Sequence, residues 1–160
     1  MSKTARQGIV VVVITVCAVL AYWTIRFALQ NEESHLRKLI NFAAVIVEEK
    51  DSVKCASLIA PNYQDRFANN KEAIMASIKK IFRDFRNFKI TIKNIKIKID
   101  GLKATADIGF IVYFKVQEEE QIYYDAAKMI VVFEKQNGSW KVVSLDYTGS
   151  NELLFMNAVA

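Results

Sequence analysis

One stretch limits this chain more than any other. Residues 8–25 carry no charge and only Thr15 and Thr24 as mild polar interruptions. As a helix they would extend roughly 27 Å, close to the hydrocarbon thickness of a bilayer. No later segment has an apolar run of similar length. Residues 1–29 are therefore expected to form an N-terminal transmembrane anchor. Lys3 and Arg6 precede the run, whereas Arg26 is followed by Glu32 and Glu33. The positive-inside tendency then puts the N-terminus in the cytoplasm and the remainder in the periplasm or outside the cell, as a single-pass protein. A cleaved signal peptide is the alternative, with residues 1–7 as its basic region and Val19-Leu20-Ala21 as its cleavage site. The anchor is preferred because hydrophobicity continues through Tyr22, Trp23 and Ile25, and Tyr22-Trp23 suits an interfacial aromatic belt. Val16 before Cys17 is a poor match to a lipoprotein signal.

The net charge of +5 at first suggests an anionic partner. However, residues 1–29 hold Lys3, Arg6 and Arg26 and no acid, so the rest of the chain is close to neutral. Cys17 lies in the apolar run and Cys55 far beyond it, so no disulfide framework is implied. At 160 residues, the chain has room for one ordinary domain besides the anchor, with residues 30–148 as the domain and 149–160 as a tail.

Within residues 30–148 the period of hydrophobicity changes once. Asn31 or Ser34 can cap a helix whose stripe is Leu36, Leu39, Ile40, Ala43, Ile46 and Val47. Asp51 or Ser52 starts a short second helix ending near Leu58 before Pro61, and Asn70 caps a third from Lys71 to about Phe85. From Phe88 the period is two. Phe88, Ile90 and Ile92 are even-numbered, whereas Ile95, Ile97 and Ile99 are odd, so a β-bulge is expected at Asn94. Asp100-Gly101 reads as a hairpin turn and Lys103 to Val116 as the second strand. The third runs from Ile122 to Lys135, and Asn137-Gly138 is the turn before the last strand. A two-residue turn there predicts that Phe133 faces Val142, Val131 faces Ser144 and Met129 faces Asp146.

Three helices, then a bent strand and a meander ending in Gly138-Ser139-Trp140-Lys141-Val142-Val143, resemble the nuclear transport factor 2-like (cystatin-like, SnoaL-like) superfamily. Ala60-Pro61-Asn62-Tyr63 after the short helix and the capped third helix add to the likeness, which covers roughly residues 32–148. The resemblance implies an α+β fold, with three helices packed on a strongly curved antiparallel sheet whose cone-like open end can hold a ligand. It also implies isomerase-like and dehydratase-like enzymes, binding or association modules that commonly pair through the sheet, and membrane-anchored secretion components. Fold does not choose among these.

Motifs for chemistry are scarce. His35 is the only histidine and is expected to be solvated, which disfavours a Ser-His-Asp or Cys-His site. No metal or cofactor is expected, because one histidine and one domain cysteine make a poor zinc set and the five glycines form no phosphate loop. No catalytic residue is assigned. The expected register puts Asp146 and Ser144 on the face of Trp140, with Asp125 and Tyr123 nearer the open end and Tyr63 closing over them. A carboxylate buried there could serve an acid/base site or a small apolar ligand. The preferred reading is that both aspartates sit at strand ends in water.

The basic tract Lys79, Lys80, Arg83, Arg86, Lys89, Lys93, Lys96, Lys98 and Lys103, opposed by Asp84 and Asp100, has its strand lysines on the non-apolar face and reads as a solvated sheet surface, with anionic head groups or an acidic partner as the functional alternative. Nucleic acid is not expected, as the tract has no interleaved aromatic residues. Ile122, Ile130, Val132, Val143 and Leu145 are expected to form an apolar patch on the sheet face away from the helices, which either the tail residues Leu153 to Met156 fold over or, in the preferred reading, a homodimer or another protein binds. The leading expectation is a membrane-anchored, non-enzymatic binding or assembly module. A small isomerase- or dehydratase-like enzyme, or a carrier of apolar ligands, is the alternative.

Overall fold

The computed structural model describes the backbone of residues 3–149 and the side chains of residues 14–148. The chain divides into two compact units, one ending at His35 and one beginning at Leu36. The tail residues Leu153 to Met156 lie outside the described residues.

Helix α1 spans Lys3–Glu48. It has no break at Asn31 or Ser34, where a cap was expected. A cap residue starts a helix only when the preceding backbone is non-helical, and residues 26–35 contain no Gly or Pro to interrupt it. From Ile14 to Asn31 every side chain is exposed, including Leu20, Tyr22, Trp23, Ile25 and Phe27. Among the described residues, no helix is long and apolar enough to cross a membrane. The side chains of residues 8–13, part of the apolar run, lie outside the description.

The second unit is an α+β fold of three helices and one antiparallel sheet. Helix α2 (Ser52–Leu58) is capped by Asp51, whose Oδ1 accepts from the Lys54 amide at 2.9 Å. Helix α3 (Lys71–Asp84) is capped by Asn70, whose Oδ1 accepts from the Ala73 amide at 2.9 Å. Both caps stand where short polar side chains precede a helical stripe, as expected. The strands are β1 (Phe85–Asp100), β2 (Lys103–Val116), β3 (Ile122–Gln136) and β4 (Ser139–Gly149), in sheet order β1-β2-β3-β4.

Leu36 and Ile40 of α1 pack on Ala104, Ala106, Ile108, Val131, Phe133 and Trp140, which defines the inner face of the sheet. A second cluster joins Ile46, Cys55, Ile59, Tyr63, Met75 and Phe82, and Val142 and Leu145 touch both clusters.

Strand β1 holds the expected bulge, one residue earlier than read from the sequence. Ile92 pairs with Phe110 and Asn94 with Gly109, which leaves Lys93 as the extra residue. Gly109 has no side chain for a direct reason: a Cβ there would lie 2.1 Å from Asn94 Oδ1. The strand also begins earlier than Phe88, at Phe85, through a second irregularity between Arg86 and Lys89 where Asn87 has φ 57°. Asparagine tolerates that conformation. In the first hairpin Asp100 pairs with Lys103, so the turn is Gly101-Leu102 rather than Asp100-Gly101, with Gly101 at φ 59°. Asn137 and Gly138 do form the last turn, both with positive φ, as a type I′ turn requires.

The expected register of the last hairpin holds only to Val142. Phe133 pairs with Val142, but Val132 pairs with Ser144, Val131 with Leu145 and Met129 with Tyr147. Val143 is the extra residue of a bulge. Its carbonyl accepts from the Gln64 amide at 2.9 Å, and that of Val142 from the Ala60 amide at 2.9 Å. The segment after α2 therefore runs along the edge of β4, with an isolated parallel bridge between Ile59 and Val142. Every β4 side chain beyond Val143 takes the face opposite to the one expected, since strand side chains alternate.

Candidate functional site

On the inner face a buried carboxylate meets a half-buried phenol. Asp125 on β3 is 1% exposed. Tyr147 on β4 donates its hydroxyl to Asp125 Oδ2 at 2.5 Å, a short hydrogen bond. Asp125 is paired across β2 with Val112, and the Tyr147 ring lies 6.3 Å from that of Phe110. Burial pushes the Tyr147 phenol above its ordinary value, and the hydrogen bond and negative charge of Asp125 add to the rise. Tyr147 thus stays protonated as a donor while Asp125 accepts. The expectation that Asp125 would sit at a strand end in water is overturned, because its neighbours on the inner face leave it no solvent.

The other residues named from the sequence do not converge on this pair. Asp146 and Ser144 turn to the outer face, opposite Ile130 and Val132, because Val143 adds a residue to β4. Arg66 stands 3.1 Å from Asp146 Oδ1. Tyr123 is on the inner face and stacks on Phe114 at 6.0 Å, but its hydroxyl donates to Glu119 Oε2 at 2.5 Å. Tyr63 is 2% exposed within the second cluster, and among the described residues no hydrogen-bond partner meets its hydroxyl. Burial raises its pKa, and the nearby charge of Asp65 acts in the same direction. Tyr147 was missed because the regular register puts it outside. The bulge leaves no mark in the sequence, where Val142-Val143-Ser144-Leu145 offers an apolar residue to either face.

The outer face holds the apolar patch in altered form. Tyr124 is 66% exposed, Ile122 65% and Ile130 45%. The Tyr124 ring lies 6.1 Å from that of Tyr113, its partner on β2. Val132 is half-buried on the same face and Val143 is the bulge residue, but Leu145 points inward and leaves the patch. Among the described residues no group of three or more His, Cys, Asp or Glu side chains is placed to hold a metal. His35 is exposed.

The model of the SnoaL-like domain family matches residues 56–147. No curated protein matches the sequence. Three solved structures share the fold at low identity. A Novosphingobium aromaticivorans protein provisionally named a scytalone dehydratase has a TM-score of 0.66 at 14% identity, over 72% of this chain and 82% of its own. A nuclear transport factor 2-like protein with a cystatin-like fold from the same species scores 0.64 at 15% identity, over 86% of this chain and 94% of its own. A nuclear transport factor 2-like superfamily protein from Salmonella enterica scores 0.62 at 15% identity, over 71% and 87%.

Proposed function

This chain belongs to the SnoaL-like domain family, and from that premise we propose that it is a membrane-tethered association module that pairs with a second copy through the outer face of its sheet. The observation that carries the reading is the exposed outer-face cluster of Tyr113, Ile122 and Tyr124, with Ile130 exposed farther along β3 between Asp107 and Asp146. Clustered exposed aromatic and aliphatic side chains of this kind mark interaction surfaces when they form a patch. The tether rests on the uncharged run of residues 8–25 and on the exposure of α1 all round from Ile14 to Asn31. A helix apolar on every side needs a non-aqueous surrounding. Flanking charge orients the domain to the exported side.

The test is the mass of the full chain in mild detergent, measured by light scattering with the micelle subtracted. Tyr124→Glu and Val132→Glu should each convert a dimer to a monomer, whereas Ser57→Glu, on α2, should not. A monomer before any substitution would sink the pairing. Alkaline extraction of the membrane fraction tests the tether, and release of the chain into the supernatant would contradict it.

A second reading is favoured by the Asp125–Tyr147 pair alone. A buried carboxylate and a half-buried phenol on the inner face suit a polar group of a small apolar ligand, or acid/base chemistry of the isomerase or dehydratase kind. The structural neighbour named as a scytalone dehydratase lends this reading fold-level support only. Native mass spectrometry of gently purified protein should then reveal a bound small molecule that Asp125→Asn loses. A ligand-free spectrum would remove this reading without touching the first.

A further inference from the structure

The two edges of the sheet are treated differently. The β4 edge is covered by residues 59–64. On β1, at the other edge, the backbone partners found among the described residues lie in the strand's first six residues and are side chains. Lys50 Nζ donates to the Phe85 carbonyl at 3.0 Å, and Glu48 Oε1 accepts from the Ile90 amide at 2.7 Å. A lysine and a glutamate thus stand where the N–H and C=O of a neighbouring strand would be. The Ile90 amide points away from β2, so strand alternation directs the Ile92 amide the same way. Among the described residues no strand pairs with this side of β1.

A groove of about 390 Å³ lies beside this edge, between Asn41, Ala44, Val45 and Glu48 of α1 and residues 89–92 of β1. Its lining from Ile90 and Ile92 is apolar. On the outer face of the strand the exposed residues are Lys89, Lys93, Asn94, Lys96, Lys98 and Asp100; Lys96 is paired across the strands with Asp107, and no ion pair is found among the described residues for Lys93, Lys96 or Lys98. Lysines commonly guard an edge against pairing with a copy of itself, and a second β1 would bring like charges together. The same lysines attract a strand of opposite sign.

We propose that the β1 edge docks an extended acidic segment of another protein by strand addition. Side chains along an added strand alternate, so apolar residues enter the groove beside Ile90, Ile92 and Val45 while acidic residues meet Lys93, Lys96 and Lys98. Backbone pairing begins beyond Ile90, where Glu48 already holds the amide. This edge is separate from the Tyr113–Tyr124 strip, and the proposal stands whether or not that strip pairs.

The test uses the full chain in mild detergent and a blocked, fluorescently labelled peptide of alternating valine and glutamate. A valine–lysine peptide is the control. Fluorescence anisotropy should show binding of the acidic peptide only, weakening as salt is raised. The K93E/K96E/K98E variant should lose at least tenfold in affinity for it while remaining folded, with a slightly lowered thermal midpoint because reversing Lys96 sets like charges opposite Asp107. Hydrogen exchange on the unmodified chain should show new protection in residues 91–99 when peptide is added. Equal binding of both peptides, binding unaffected by the triple reversal, or no added protection in β1 would overturn the proposal. So would binding to anionic vesicles with no peptide binding, which would mark the lysines as a lipid-facing surface.

Discussion

Two of the sheet's register irregularities, the bulges at Lys93 and Val143, differ in how they are enforced. In β1 the extra residue Lys93 is required by the side-chain pattern itself, because the isoleucines change from even to odd positions around it. In β4 the extra residue Val143 is required by nothing within the strand. It is held from outside, where the amides of Ala60 and Gln64 bind the carbonyls of Val142 and Val143. The first bulge keeps an apolar face continuous. The second decides which polar residues enter the core, because it turns Tyr147 in and Asp146 out. A local pattern thus specifies one bulge, and a tertiary contact specifies the other.

Substitutions can break or sharpen this contrast. Leu145→Ala should have the largest effect, a loss of about 2 kcal/mol in chemical denaturation, since Leu145 packs against both core clusters. A value near zero would restore the regular register, in which Leu145 faces outward. Tyr147→Phe should cost roughly 1.5 kcal/mol, because it leaves the buried Asp125 without this donor. Gly109→Ala tests the β1 bulge. Its methyl group would collide with the Asn94 side chain, and the cost of about 1 kcal/mol should shrink in an Asn94→Ala background. Asp146→Asn should change stability by less than about 0.5 kcal/mol, as its pairing with Arg66 is half-exposed.

The smallest effect belongs to a site that neither bulge positions. The hydrogen bonds of Lys115 and Arg86 hold the Glu120 carboxyl at about 2, below its ordinary 4.5. Between those values the unfolded chain binds more protons than the folded one, so stability falls as pH is lowered through that window. Denaturation midpoints measured across it should show a shallower acid slope for Glu120→Gln than for the unmodified chain.

Much of the fold was legible because it rests on local rules. Asp51 and Asn70 cap their helices, Asn137-Gly138 turns the last hairpin, and the isoleucine parity announces the β1 bulge. The candidate site was legible in part. Asp125 and Tyr63 were named, and both are buried. Ser144 and Asp146 were named on the assumption of an unbroken ladder, and the Gln64 and Ala60 amides that break it lie roughly eighty residues upstream of β4. No local period could report that contact. The merger of the expected first domain helix with the preceding segment was missed for a related reason. Asn31 and Ser34 are good caps only if the backbone before them is not already helical, which composition at those positions does not decide.

The register of β3 against β4 is the most direct test of this account, because the Asp125–Tyr147 pair and the composition of the outer strip both follow from it. Cross-strand nuclear Overhauser contacts between backbone protons of the two strands would measure it. The account predicts that Met129 is matched with Tyr147 and Ile130 with Asp146. Contacts matching Met129 with Asp146 and Lys128 with Tyr147 would contradict it.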